Sequence, residues 1–251
     1  MKIVVCIKQV PDTVQLKFDS QNNPMLDNVE WLMNPCCSYA VETALQLKET
    51  QEGSTVIAIS LGGPKAKDGL KRAIAMGCDE AFQFNNAASD AYSIAHSLAD
   101  AIWKQVPDFD LLLFGQYTDD AMHGITGPMA AEFLNVPSIT LGSKVTLTAP
   151  GTIRVERQTE LGLEGHEMTL PGMVCMANSS VEPRIPSIKG VMRANRTEIS
   201  FWDAETPVSA VVQTLSTVRK PKKSGGTKID GSDAQTAVDQ LITYLKAQKA
   251  L

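Results

Sequence analysis

The chain has 251 residues, enough for one large or two small domains with a substantial core. Hydrophobic residues make up 43% and charged residues 20%, which excludes a disordered or fibrous chain. A net charge of −5 argues against nucleic acid as the main partner, because phosphate binding needs concentrated Lys and Arg.

Met1-Lys2 leads into the short apolar run Ile3–Ile7, too short for the core of a secretion signal, and no apolar stretch approaches the length of a membrane span. The run predicts a strand over Lys2–Ile7, with Lys8–Asp12 turning out of it. Residues 14–32 read as extended and irregular, with a turn near Gln21–Pro24. Asn34-Pro35 starts a helix, since Asn suits an N-cap and Pro the first helical position. Apolar Tyr39, Val41, Ala44, Leu45 and Leu47 follow at helical spacing to Lys48. A second strand is expected at Thr55–Ser60, ending in Leu61-Gly62-Gly63-Pro64. A helix over 65–76 closes at Gly77. A third strand, Ala81–Phe84, leads to a helix from about Asp90 to Lys104.

The next stretch, LLLFGQYTDDAMHGITGPM from Leu111 to Met129, organises the chain. Leu111–Phe114 is too short for a helix and apolar throughout, as a strand buried on both faces of a parallel sheet must be. Gly115 ends it, Asp119 and Asp120 make the turn, and Thr126-Gly127-Pro128 opens a helix to Leu134. Ligands of open α/β sheets bind beyond the carboxyl ends of strands, where helix N-termini offer unpaired N–H groups to anions. Gly115, Asp120, Thr126 and Gly127 therefore stand where a nucleotide would lie. An ordinary strand-to-helix turn punctuated by Gly and Asp uses the same residues. The alternation predicts a doubly wound parallel sheet of Rossmann-like, adenine-nucleotide-hydrolase-like type.

Asn135-Val136-Pro137 breaks the alternation. Lys144–Leu147, Ile153–Arg157, His166–Leu170 and Met173–Met176 read as an antiparallel addition at the sheet edge plus one returning strand. From Glu182 the periodicity fades. Arg219–Lys228 (RKPKKSGGTK) reads as an exposed linker, and Asp233–Lys249 as a helix with Ala237, Leu241, Ile242 and Leu245 on one face. The expected division is a nucleotide-binding domain over 1–204 and an extended arm over 205–251, its helix docking on another subunit.

Catalytic patterns are missing. GxxxxGK[ST], GxGxxG and GxSxG do not occur. The five cysteines (6, 36, 37, 78, 175) form no CxxC, and the three histidines pair with none of them, so no metal site is expected and the thiols suit a reducing compartment. Glu156, Glu160, Glu164 and Glu167 read as solvated charge on an exposed hairpin, and His123 as a partly exposed loop histidine. The residues favour a binding subunit over an enzyme with its own acid, base or nucleophile.

VERQTELGLEGHEMTLPGMVCM at 155–176, followed by EPRIPSIKGVMRA at 182–194, resembles the signature region of the electron transfer flavoprotein β-subunit family. MNP at 33–35, AVETALQLKE at 40–49, ISLGGP at 59–64 and AIAMGCDEA at 73–81 match it in order and spacing, so the resemblance covers nearly the whole chain. It implies a heterodimer with an α-subunit that holds most of an FAD, and a β-subunit that buries AMP and carries electrons between dehydrogenases, often acyl-CoA dehydrogenases, and an acceptor. It implies an AMP site at Cys6, Ile7, Lys8, Asn34, Leu61, Gly62, Gly115, Asp120, Gly124, Ile125 and Thr126. Partner docking is implied at Pro186, Ile188 and Met192, with Ile188 an isolated apolar anchor ringed by Arg184, Lys189 and Arg193. The resemblance also implies positions near the flavin at Thr13 and Cys36, where many relatives carry an aromatic. The location implied is cytoplasmic in a bacterium, or the mitochondrial matrix in a eukaryote. Two alternatives stay open. NNAASDAYSIA at 85–95 partly resembles flavin-bifurcating members, which oxidise NADH and hold a second FAD in place of AMP. A stand-alone nucleotide-binding stress or regulatory protein would use the same sheet.

Overall fold

The computed structural model describes residues 1–21, 23–85, 90–178, 182–203, 208–215 and 226–251, and only the backbone of Asp203. The chain forms two compact units, Met1–Leu215 and Ser216–Leu251.

In the first unit, β1 (Lys2–Cys6) leads through β2 (Gln9–Pro11), β3 (Lys17–Phe18), β4 (Pro24–Met25) and β5 (Trp31–Met33) into α1 (Pro35–Thr50). β6 (Thr55–Leu61), α2 (Ala66–Met76), β7 (Glu80–Asn85), α3 (Ala91–Gln105), β8 (Leu111–Gly115) and α4 (Thr126–Phe133) continue the alternation. β9 (Ser138–Ala149), β10 (Thr152–Thr159), β11 (Gly162–Thr169) and β12 (Gly172–Met176) follow without a helix, and α5 (Ile188–Arg196) and β13 (Ser200–Asp203) close the unit.

Among the described residues, nine strands form one sheet in the order β11-β10-β9-β12-β8-β1-β6-β7-β13. From β9 to β13 every neighbouring pair is parallel. β10 pairs antiparallel with both β9 and β11, as the edge addition required. Side chains alternate across the sheet. Ile3, Val5, Leu111 and Leu113 cluster with α1 and α2, while Val4, Ile57, Leu112 and Phe114 cluster with α3 and α4. With both faces covered, the central strands must be apolar throughout. β6 lies on one side of β1 and β8 on the other, so the connections diverge at the carboxyl ends of β1 and β8. That divergence opens a crevice at the strand ends.

Local chemistry fixes the helix ends. Gly77, at φ 139°, closes α2, its N–H donating to the Ala73 and Ile74 carbonyls. The Asp90 carboxylate caps α3 by accepting from the Ser93 N–H at 2.8 Å. Its second oxygen accepts from the N–H groups of Val211 and Val212, both at 2.8 Å, tying that segment to the head of α3.

The structure corrects several sequence expectations. Gln9–Pro11, inside the expected turn, is a strand paired with Trp31–Met33. The strand expected at Lys144–Leu147 begins at Ser138, because the chain first runs parallel to β12 and bends at Leu141 (φ 59°) and Gly142. A Cβ at Gly142 would crowd Val174 and Val155, so the bend needs glycine there. The segment from Glu182, expected to lose periodicity, adds the strand β13. β13 adds a parallel edge strand whose Trp202 ring packs 5.2 Å from Phe82 and 5.9 Å from Phe84.

In the second unit, α6 (Ala234–Ala247) starts at Asp233, whose carboxylate accepts from the Thr236 N–H at 3.0 Å. None of its residues is buried, and Val238, Leu241, Ile242 and Tyr244 stand exposed. Most of the expected linker (219–225), and residues 86–89 of the 85–95 loop, lie outside the described residues. No helix among the described residues is long and apolar enough to cross a membrane.

Candidate functional site: the strand-end crevice

The strand order brings Cys6 at the end of β1 with Ile7 and Lys8 after it, Leu61 at the end of β6 with Gly62 after it, and Gly115 at the end of β8 to the carboxyl end of the sheet. Cys6 and Ile7 are each 5% exposed, so they offer the crevice backbone and apolar cover rather than side-chain polarity. Gly115 has a packing role as well. A Cβ there would press on the Cys37 N–H and the Cys36 carbonyl carbon at 2.9–3.0 Å, so glycine lets the start of α1 approach the end of β8.

Asn34 stands at the expected N-cap of α1 but makes no side-chain cap. Its amide reaches across to the loop after β8, donating to the Tyr117 carbonyl at 2.8 Å and accepting from the Asp119 N–H at 3.0 Å. Its own N–H donates to the Lys8 carbonyl at 2.9 Å. Asn34 is fully buried, so in this arrangement it fixes the loop from behind.

That loop turns at Thr118–Met122 and passes Gly124, whose φ of 65° favours glycine. It ends at Ile125, 42% exposed, which precedes α4 without a side-chain cap. The first N–H groups of α4, at Thr126 and Gly127, thus have no capping side chain. Gly127 permits this start, since a Cβ there would overlap Cys175 Sγ. Across the crevice, Lys8 Nζ pairs with Asp120 Oδ2 at 2.6 Å. Burial pushes the Asp120 carboxyl up, but hydrogen bonds from Lys8 and Thr118 outweigh it and hold the group below the usual carboxylate range.

Two supporting residues escaped sequence reasoning. Gln83, 5% exposed, donates its amide to the Gly62 and Gly63 carbonyls at 3.0 and 2.9 Å. Gln116 Oε1 accepts from the Leu141 N–H at 2.6 Å and so holds the bend in β9. A polar residue within the strand FQF was the available signal for Gln83; nothing local marked Gln116.

Thr13 lies on an exposed turn after β2, whereas Cys36 is buried in the first turn of α1. All five cysteines are free and buried. Burial pushes the Cys6, Cys36 and Cys37 thiols up, and those of Cys78 and Cys175 to about 12, so none supplies a thiolate near neutrality. The crevice can bind and orient a ligand; none of these thiols supplies a nucleophile.

The segment around Pro186, Ile188 and Met192 is separate. It is loop only as far as Ser187, whose hydroxyl accepts from the Gly190 N–H at 3.0 Å and caps α5. Ile188 is 83% exposed but not isolated, because Ile185, Val191 and Met192 are exposed beside it. Two of the cations expected around Ile188 have partners within the chain. Arg184 is bound to Glu42 and Glu49, and Arg193 donates to the Ile74 and Cys78 carbonyls.

Fold and strand order together define a doubly wound α/β protein with a switch point at the ends of β1 and β8. Family comparison then specifies it. The electron transfer flavoprotein domain matches residues 25–207. The electron transfer flavoprotein subunit beta of Megasphaera elsdenii is 32% identical over an alignment of 271 positions that spans 100% of both chains. That of Bacillus subtilis is 32% identical over 99% of this chain and 98% of its own. The caffeyl-CoA reductase-Etf complex subunit CarD of Acetobacterium woodii is 31% identical over 98% of each. The chain belongs to the electron transfer flavoprotein β-subunit family, whose role is electron transport.

Proposed function

We propose that the chain is the β-subunit of a heterodimeric electron transfer flavoprotein and works as an electron carrier rather than an enzyme. Its α-subunit holds most of an FAD, which supplies the redox chemistry. This chain contributes a crevice for AMP and a docking helix for flavin-dependent dehydrogenases, acyl-CoA dehydrogenases among them. The observation that carries the reading is the convergence of the β1, β6 and β8 ends with the uncapped start of α4 at the switch point. The residues fit AMP: N–H groups at Thr126 and Gly127 suit its phosphate, and the backbone and apolar cover at Cys6 and Ile7 suit adenine. A cytoplasmic location accords with five free thiols.

A second reading puts another FAD in the AMP crevice and makes the heterodimer a bifurcating one that oxidises NADH. The Ser/Asp-bearing sequence at 85–95 favours it. Denaturing the purified heterodimer and quantifying the released nucleotides tests both. One AMP and one FAD per heterodimer supports the first reading, and two FAD without AMP the second. Neither AMP nor a second FAD removes the crevice's proposed role.

A further inference from the structure

We infer that Lys8 sets the charge of the crevice: by neutralising Asp120 it lets a phosphate monoester bind where an unpaired carboxylate would repel it. This rests on the proposed nucleotide site and goes beyond it, because it assigns the residue that makes the site discriminate by ligand charge.

The pair joins residues 112 apart in sequence, one from the end of β1 and one from the loop after β8. These are the two sides of the switch point. Asn34 holds the same loop by bonding the Asp119 N–H, so Asp119 and Asp120 are fixed beside the crevice together. A phosphate seated on the first N–H groups of α4 would meet a loop carrying two adjacent carboxylates. Lys8 is the cation bonded to one of them, at 2.6 Å.

As a stabilising contact the pair counts for little, since Lys8 is 42% exposed and exposed ion pairs contribute weakly. Its consequence is for ligand charge. Truncating Lys8 leaves Asp120 uncompensated, and like charges brought together at a binding site oppose association. Lys8 is therefore a positioning residue that acts through Asp120, and the effect scales with the charge of the ligand.

The test is calorimetric titration of the full chain, freed of resident nucleotide, with AMP and separately with adenosine. Lys8→Met weakens AMP about tenfold at low salt and leaves adenosine unchanged. Raising the ionic strength shrinks the difference. Asp120→Asn in the Lys8→Met background restores AMP binding, and Lys8→Arg retains it. Equal weakening of AMP and adenosine, or a double variant no better than Lys8→Met, overturns the inference and leaves the nucleotide site standing. Wild-type protein that binds neither AMP nor adenosine overturns the site itself.

Discussion

Arg184 closes on Glu42: its Nε and Nη2 donate at 2.8 and 2.9 Å, and its backbone N–H at 3.0 Å, to one carboxylate. Nη1 donates to Glu49 at 2.6 Å. The approach to α5 is thereby bolted to α1. Farther along, Lys71 Nζ donates to the Ala194, Asn195 and Thr197 carbonyls and caps the end of α5. Gly190 lies against the Ala75 carbonyl, where a Cβ would overlap it. One side of the helix is fixed, and the apolar side faces outward.

Glu42 is 5% exposed, so Arg184→Met leaves a buried charge without its partner. The expected cost is about 3 kcal/mol, read as a lower thermal midpoint. Burial alone would push the Glu42 carboxyl up, but its bonds to Arg184 outweigh that and hold it below 4.5. A depressed carboxyl stabilises fully above its unfolded value of 4.5 and loses that contribution as pH falls through the folded value. The wild-type midpoint should therefore fall more steeply below pH 4.5 than that of Arg184→Met. Parallel profiles would show that the pair carries no such linkage.

The same pair shows what the sequence hid. Arg184 and Arg193 read as a cationic rim because their charge is written in the chain, whereas their partners lie 142 and 119 residues away. What depends on neighbours was legible: Leu111–Phe114 as a doubly buried strand, Pro35 opening α1, and Gly77 closing α2. Of the candidate site, the strand ends and the start of α4 could be read from Gly and Thr spacing. The Asn34 bridge, the Gln83 amide and the Gln116 contact could not, because each is a hydrogen bond between elements far apart in sequence. β13 was missed because an edge strand with Phe201 53% exposed has no two-sided apolar run.

Asn34→Ala removes an acceptor and a donor from a fully buried site and leaves the Asp119 N–H and Tyr117 carbonyl without that partner. Such orphaned groups cost about 1–3 kcal/mol. The loop carrying Asp120 should loosen, so faster amide exchange at 117–120 and weaker AMP retention are expected together. Unchanged exchange there would mean that the loop holds its shape without Asn34.

Ending the chain after Leu215 keeps the Asp90 contacts with Val211 and Val212 and removes α6, none of whose residues is buried. The first unit should keep its thermal midpoint, while assembly with the α-subunit and retention of FAD weaken. Sizing chromatography of the co-expressed subunits decides the matter. An unchanged heterodimer peak with full flavin content would show that the arm does not hold the partner.

Ile188 is the most exposed of the large apolar residues on α5, at 83%, with Val191 and Met192 at 44% and 51%. A single exposed isoleucine is ordinary on a protein surface. An apolar group on a helix immobilised by Arg184, Lys71 and Gly190 is better suited to docking, because little ordering entropy is left to lose on binding. Ile188→Ala should weaken docking to the cognate dehydrogenase by about 1–3 kcal/mol, roughly 5–150-fold in affinity. Folding and nucleotide content should be unchanged, since the residue makes no buried contact. Lys71→Met should raise the half-saturating dehydrogenase concentration too, by freeing the end of α5, while the rate at saturation holds. If Ile188→Ala matches wild type in steady-state electron transfer, the apolar face is not the docking surface. If Ile188→Ala raises the half-saturating concentration and Lys71→Met does not, the face docks without needing a rigid helix beneath it.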